Sequence, residues 1–147
     1  MDPKIDVGPL VNIQKVAAVD TQVKDAVSKG VEAAIGGRPT AGVGAFYEPT
    51  VLENVNLEMR MMREEVFGPV APIYVVPDEE EAIRVGNDSQ FGLGASIWTS
   101  NLSKATTLAK SIQCGVVFVN ALVKSDSRMP FGGVKKSGIG RELSKYG

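Results

Sequence analysis

The 147-residue sequence contains no histidine and a single cysteine. Without histidine, a histidine-based catalytic triad is excluded within this chain, and one thiol excludes a disulfide framework. A zinc site built from cysteine and histidine is excluded as well, and no metal site is predicted. Because a lone thiol is typical of a reducing compartment, we expect a cytoplasmic protein.

Charge of one sign and long hydrophobic runs are also missing. Sixteen basic and 17 acidic side chains leave a formal net charge of -1, so no overall basic field can attract nucleic acid or anionic lipid. No apolar run approaches the roughly 20 residues that span a bilayer, and the N-terminus shows no signal-peptide pattern. We therefore predict neither a nucleic-acid partner nor a membrane partner.

The composition is that of a globular protein. Hydrophobic residues make up 44% and charged residues 22%, close to the average for soluble domains. A chain of this length can bury about 68–70% of its unfolded surface. We therefore expect residues 1–147 to form one domain.

Hydrophobic periodicity predicts alternating helices and strands. Asp78, with Glu81 three residues later, resembles a capping box, and Ser100 or Asn101 caps a later helix. Helical spacing covers residues 11–29, 78–87 and 101–112, with Ile13, Val16, Ala17, Val23, Ala26 and Val27 on the first apolar face. Short β-forming runs occupy residues 31–35, 46–55, 73–76, 95–99 and 116–119.

From residue 73 to residue 120 the order is strand, helix, strand, helix, strand. This order predicts βαβ crossovers, and hence an α/β fold with a mostly parallel sheet flanked by helices. Residues 120–138 have no periodicity and follow the end of an apolar strand. Such loops carry the functional sites of α/β folds, so we expect the site near this segment.

Two motifs that suggest chemistry have simpler explanations. The segment GGVKKS at 132–137 lacks the glycine that a P-loop places directly before its Lys-Ser pair. Its glycines are typical of a tight turn. Cys114 lies between a helix and an apolar strand with no histidine to activate it, so we expect a packed, inert thiol. No catalytic residue is assigned within the chain.

Two polar groups leave alternatives open. The carboxylates of Glu64 and Glu65 could accept hydrogen bonds from vicinal hydroxyls, as on a ribose, or could form a solvated helix end. Asp126 and Arg128 could form a local ion pair, worth ~0–1 kcal/mol if exposed. With Ser125, they could instead line a polar pocket.

Four ordered segments resemble the aldehyde dehydrogenase superfamily. They are EEVFGPV at 64–70, GNDSQFG at 86–92, CGVVFVN at 114–120 and PFGGVKKSGIGRE at 130–142. The N-terminal segment DPKIDVGPL at 2–10 and the triplet PTV at 49–51 are similar too, so the resemblance covers essentially the whole chain. Residues 125–143 are most similar to the succinate-semialdehyde dehydrogenases.

The resemblance implies oxidation of an aldehyde, succinic semialdehyde, to a carboxylic acid with NAD or NADP. In that family a cysteine attacks the carbonyl, hydride leaves to the nicotinamide and water hydrolyses the thioester. The family's nucleophile, general base and cofactor domain lie before the matched region. The resemblance therefore implies the C-terminal part of a catalytic domain, inactive in isolation and binding no cofactor alone.

The same resemblance assigns five residues. Glu65 is similar to the ligand of the nicotinamide ribose, and Phe67 to the aromatic residue beside the nicotinamide. Asn120 is similar to a structural asparagine near the active site. Phe131 resembles a wall of the aldehyde tunnel, and Ser125 a serine that bonds the substrate's remote carboxylate.

The expected partners follow from this interpretation. They are the upstream part of the same enzyme, a small aldehyde, and a second copy of the chain. The second copy would join either through the edge of the apolar strand at 116–119 or through apolar surface that faces the upstream part in a complete enzyme. An alternative hypothesis is a non-enzymatic interaction or binding module that retains the fold.

Overall fold

The computed structural model describes residues 5–147, which belong to two compact units. The first unit ends at Val75 and the second begins at Val76. In the described part, no helix is both long and apolar enough to cross a membrane. The prediction that the N-terminus lacks a signal-peptide pattern, and the DPKIDVGPL motif, both involve residues among 1–4, which lie outside the described residues.

The first unit begins with helix α1, Ile13–Ser28, whose first turn is capped by the side chain of Asn12. The buried face of α1 consists of Val16, Val19, Gln22, Val23 and Ala26. The predicted face was therefore wrong in part, since the following members are exposed: Ile13, Ala17 and Val27. The buried face differs from the predicted one because α1 packs on the 3-10 turn Arg60–Met62. Periodicity within the helix cannot reveal this contact.

Three strands form the sheet of the first unit: β1, Glu32–Ile35; β2, Thr50–Glu53; and β3, Val70–Pro72. β2 lies in the centre, antiparallel to β1 and parallel to β3. The strand predicted at 73–76 was wrong, because β3 ends at Pro72. Pairing with β2 decides this boundary: the amide of Thr50 bonds Pro69 O, and the amide of Ile73 bonds Leu52 O.

The second unit contains two capped helices, as the sequence predicts. Helix α2, Glu79–Asn87, begins after Asp78, whose side chain accepts a hydrogen bond from the amide of Glu81. Helix α3, Leu102–Ala109, begins after Asn101, whose side chain accepts a bond from the amide of Lys104.

Four short strands accompany these helices: β4, Phe91–Gly92; β5, Gly94–Ile97; β6, Val116–Val119; and β7, Val134–Lys135. β5 and β6 pair in parallel, with α3 between them in the chain, which confirms the second of the two predicted crossovers. The first was wrong, because no strand forms at 73–76 before α2. β4 and β7 pair antiparallel. The α/β class is confirmed, and the described sheets are mixed, with two parallel and two antiparallel strand pairs. Self-association through β6 stays a prediction.

Candidate functional site

A cavity of about 190 Å³ in the first unit contains both predicted cofactor ligands, Glu65 and Phe67. One wall is α1, and the opposite wall is the irregular segment after the 3-10 turn. The ring of Phe67 is 68% exposed, and Lys15 and Arg60 bring positive charge to the lining. The cavity therefore combines a carboxylate, cations and an open aromatic ring.

The two neighbouring carboxylates have different surroundings. Arg60 donates to Glu64 from Nε at 2.8 Å and from Nη2 at 3.0 Å. These bonds, followed by one from Gln22, hold the pKa of Glu64 below its usual value, and Glu64 in turn raises the pKa of Arg60. Within residues 5–147, no hydrogen bond or ion pair engages the carboxylate of Glu65. Glu64 is therefore bonded within the unit, whereas the exposed carboxylate of Glu65 is open to solvent or to a ligand.

The turn that carries this wall is fixed to α1 by Asp25. Its carboxylate accepts a hydrogen bond from the Arg60 amide at 3.0 Å and another from Lys29 Nζ at 3.0 Å. The bond from the Arg60 amide is the largest cause of the lowered pKa of Asp25, and the bond from Lys29 is the second. One helix therefore positions the residues before the candidate ligands.

Asn120 joins the ends of β5 and β6 in the second unit. Its side-chain amide donates to Thr99 O, and its side-chain oxygen accepts from the Thr99 amide, both at 2.9 Å. Its φ of 53° lies in the left-handed region, which asparagine tolerates better than most residues. Asn120 therefore fixes the strand end from which the 121–131 segment departs.

The segment after Asn120 contains the predicted ion pair. Arg128 donates to both carboxylate oxygens of Asp126, at 2.9 and 2.6 Å. These bonds, with one from the Arg128 amide, hold the pKa of Asp126 well below its usual range. The interpretation of a local ion pair is thus confirmed. Ser125 is exposed and lines neither the cavity of Glu65 and Phe67 nor the cavity that contains Phe131.

Phe131 lines a separate cavity of about 340 Å³ in the second unit, together with the glycine-rich turn that follows it. Its backbone exchanges two 2.8 Å hydrogen bonds with Glu142. This bridge closes the turn on itself and leaves the ring half-buried. The structure therefore gives Phe131 a cavity wall but does not bring Ser125 into the same cavity.

The lysine of the rejected phosphate-loop motif has a structural partner. Lys135 Nζ donates to Asn87 O at 2.7 Å and to Ser89 O at 2.9 Å. These carbonyls lie at the C-terminal end of α2, where a cation is favoured by the helix dipole. The motif therefore joins β7 to the end of α2.

Sequence reasoning missed four polar residues of this cavity: Lys15, Thr21, Gln22 and Arg60. Gln22 offered the only usable signal, a long polar residue among the apolar positions of α1. A buried amide in such a place needs hydrogen-bond partners, and so points to a neighbouring segment. Across the described chain, no cluster of three or more acidic or cysteine side chains could hold a metal ion.

Comparison with known proteins places this geometry in a family. The aldehyde dehydrogenase family profile matches residues 1–147. A succinate semialdehyde dehydrogenase [NAD(P)+] of Escherichia coli K12 is 44% identical over 146 residues, which cover 99% of this chain and 32% of that protein. A glutarate-semialdehyde dehydrogenase of Pseudomonas aeruginosa is 40% identical over 147 residues, covering 100% of this chain and 30% of that protein.

The solved structure of succinic semialdehyde dehydrogenase from Streptococcus pyogenes in complex with NADP+ matches with a TM-score of 0.94 and 42% identity. The match covers 100% of this chain and 32% of that one. The chain thus spans about a third of the length of these relatives. By its full-length profile match and its fold, the chain belongs to the aldehyde dehydrogenase family.

Proposed function

We propose that this chain forms cofactor-binding and substrate-binding walls of an NAD(P)-dependent aldehyde dehydrogenase that acts on an aldehyde with a distal carboxylate. The region corresponds to the C-terminal part of a catalytic domain. Its partners are the rest of that enzyme, a small aldehyde such as succinic semialdehyde, and a second copy of the chain. The single cysteine supports a cytoplasmic location.

The available carboxylate of Glu65 beside the exposed ring of Phe67 is the observation that carries the proposal. Both side chains line one cavity of about 190 Å³. The neighbouring Glu64, with the same functional group, is taken by Arg60 and Gln22. Glu65 is therefore the member of the pair that is able to accept hydrogen bonds from a ligand.

The residues of this cavity fit the nicotinamide riboside portion of NAD or NADP. A carboxylate offers two oxygens to the vicinal hydroxyls of a ribose, and an exposed aromatic ring offers an apolar face to a flat heterocycle. The bound group would supply a hydride acceptor. In this chain, Glu65 holds the ribose hydroxyls, and Phe67 limits the positions available to the nicotinamide ring.

In a complete enzyme that carries this segment, Glu65→Gln should slow hydride transfer by about 10- to 100-fold. The glutamine amide retains one weaker acceptor and loses the charge, so it holds the ribose less well. Misplacement of the nicotinamide near the reacting atoms slows the reaction by a factor of this order. Single-turnover kinetics, followed by absorbance of the reduced nicotinamide, measures this step. Aldehyde binding should change much less.

Glu53→Gln is the matched control. Glu53 is an exposed carboxylate at the end of β2 and lies outside the cavity lining. The Glu53→Gln substitution should leave the rate of hydride transfer unchanged. A hydride step that is equally fast in the Glu65→Gln and Glu53→Gln variants would reject the ribose role.

The proposed substrate class depends on Ser125, which is exposed and next to the Asp126–Arg128 ion pair. Both curated relatives described above are named for semialdehydes of dicarboxylic acids. A serine hydroxyl can donate a hydrogen bond to the carboxylate at the far end of such a substrate. Arg128 is itself bonded to Asp126, so the proposal assigns this recognition to the hydroxyl.

Ser125→Ala in a complete enzyme should weaken binding of succinic semialdehyde by about 10- to 100-fold. A hydrogen bond to a charged group contributes about 1.5–3 kcal/mol. An uncharged aldehyde of similar length should bind as before. The KM values and inhibition constants of both aldehydes test this, with Ser127→Ala as the control from the same exposed segment. Equal losses for the two aldehydes would show that Ser125 does not recognise the carboxylate.

A further inference from the structure

The side chain of Gln22 is the buried polar group nearest to the candidate ligands. It lies on α1 and is only 7% exposed, among valines that form the core of the first unit. Its Nε2 donates to Glu64 Oε2 at 3.1 Å and to the main-chain oxygen of Glu65 at 3.2 Å. Both amide hydrogens of Gln22 are therefore used, and both bonds end on the segment that carries the ligands.

We propose that Gln22 is a positioning residue that fixes the main chain at Glu65, so that the Glu65 carboxylate and the Phe67 ring meet the nicotinamide riboside correctly. This inference rests on the proposed cofactor role of the cavity. It assigns no contact between Gln22 and the reacting atoms. Gln22 acts through the carbonyl of Glu65, whose side chain it leaves uncommitted.

The supporting element is rigid. α1 is a 16-residue helix with a side-chain cap at Asn12, and its buried face packs on the core. Segments 64–67 have no regular secondary structure, so their main chain depends on contacts from outside. A cofactor-binding side chain on an irregular segment is positioned more precisely when the main chain of that segment is bonded to a helix.

A second contact limits the same segment one residue beyond Phe67. A Cβ built on Gly68 would lie 2.7 Å from Val19 Cγ2, and Val19 is fully buried and stiff because it is β-branched. The main chain therefore runs against α1 at Gly68 and is bonded to α1 at Glu65. Phe67 lies between these two fixed points.

A purely structural role for Gln22 would predict a different result. A buried amide in a core must be satisfied whatever its neighbours do, and its loss then changes only stability. A positioning role predicts that cofactor affinity and hydride transfer change while aldehyde affinity does not. The two roles are therefore separated by comparing these quantities within one variant.

The test uses Gln22→Met in a complete enzyme that carries this segment. Methionine keeps the length and the buried packing but has no amide hydrogens to donate. We expect the dissociation constant of NAD(P)+, measured by titration without aldehyde, to rise about fivefold, and single-turnover hydride transfer to slow about tenfold. Amide hydrogen exchange at Glu64, whose amide donates to Arg60 O at 2.7 Å, should become faster. The KM of the aldehyde should be unchanged.

Gln14→Met is the matched control, since Gln14 lies on the exposed side of the same helix, outside the cavity lining. It should leave all four readouts as in the parent enzyme. If Gln22→Met lowers stability but leaves cofactor affinity and hydride transfer at the Gln14→Met level, the inference is overturned.

A double variant that exchanges the amide of Gln22 and the carboxylate of Glu64 keeps the inference testable if Gln22→Met folds poorly. Gln22→Glu removes both donors, and adding Glu64→Gln restores a hydrogen bond between positions 22 and 64 but not the bond to Glu65 O. We expect the double variant to be more stable than Gln22→Glu alone, while hydride transfer stays slow. Recovery of the hydride rate in the double variant would show that the Glu65 carbonyl is irrelevant.

The proposed function and this inference fail separately. An unchanged hydride step in Glu65→Gln would remove the ribose role itself. A slow Glu65→Gln enzyme together with a fully active Gln22→Met enzyme would leave the ribose role standing and reject only the positioning by Gln22.

Discussion

The 147-residue chain by itself is expected to form no reduced cofactor from succinic semialdehyde with either NAD or NADP. Its only thiol, Cys114, is half-buried before β6, and its Sγ donates to Val116 O at 3.1 Å. The chain contains no histidine that could act as a base. Because nucleophilic catalysis needs an activated nucleophile, the rate of cofactor reduction should equal the background rate measured in buffer without the chain.

The measurement is absorbance of the reduced nicotinamide over a long incubation with purified chain. A Cys114→Ser variant of a complete enzyme is the complementary control. It should keep full turnover, because Cys114 only packs and bonds a main-chain carbonyl. Turnover by the chain that disappears in its own Cys114→Ser variant would contradict the assignment of an inert thiol.

If this expectation holds, the chain contributes binding surfaces and not the bond-making groups. In the proposed function, Glu65 and Phe67 form one such surface, and Phe131, which lines a separate cavity, forms another. Each surface has its own local support: α1 supports Glu65, and the bridge to Glu142 supports Phe131. Substitutions at these supporting residues should therefore change the affinity for bound groups and their alignment. They should not change which reaction takes place.

Helix starts were predictable from the sequence because capping is a local interaction. Asp78 and Asn101 each bond an amide three residues ahead, and both bonds are present at 2.9 Å. The β5–α3–β6 crossover was predictable for a similar reason, since apolar runs separated by a helical period have few arrangements. Both kinds of feature are recognised from one continuous stretch of the sequence, without knowledge of distant residues.

The errors arose where distant residues decide the outcome. β-forming residues at 73–76 favoured a strand there, yet the partner strand β2 is already paired with Val70–Pro72. The face of α1 was displaced because the 3-10 turn, more than 30 residues later, selects which positions are buried. Gln22 was overlooked for the same reason, since its partners Glu64 and Glu65 are 42 and 43 residues away.

The candidate ligands themselves came from resemblance and not from spacing. By residue type alone, Glu64 and Glu65 are equivalent. The resemblance selects Glu65, and the structure distinguishes the two independently, because the bonds of Arg60 and Gln22 go to Glu64. The commitment of one carboxylate is thus what identifies the other as available.

Gly115→Ala is expected to destabilise the second unit by about 3 kcal/mol or more. A Cβ at position 115 would lie 1.6 Å from Gly132 O and 3.1 Å from Leu93 O. Main-chain atoms cannot rotate away as a flexible side chain can, so the 132 segment would have to move. Overpacking of this kind costs roughly 1–3 kcal/mol, and more where the backbone must shift.

The contact also connects stability with the wall formed by Phe131. Gly115 leads into β6, and its amide donates to Gly92 O at 3.0 Å, so the position is fixed within the sheet region. Gly132 directly follows Phe131 and lines the same cavity. Displacement of Gly132 should therefore move the Phe131 ring, and a complete enzyme with Gly115→Ala should lose aldehyde affinity as well as stability.

Denaturant unfolding followed by the fluorescence of Trp98, the only tryptophan, reports on the second unit directly. Gly86→Ala is the matched control: Gly86 lies within α2, and a Cβ there meets nothing within 4 Å. In a helix, alanine is favoured over glycine by about 0.5–1 kcal/mol, so this variant should be unchanged or more stable. A Gly115→Ala chain that unfolds at the same denaturant concentration as Gly86→Ala would show that the 132 segment moves freely, and the support assigned to Phe131 would then be wrong.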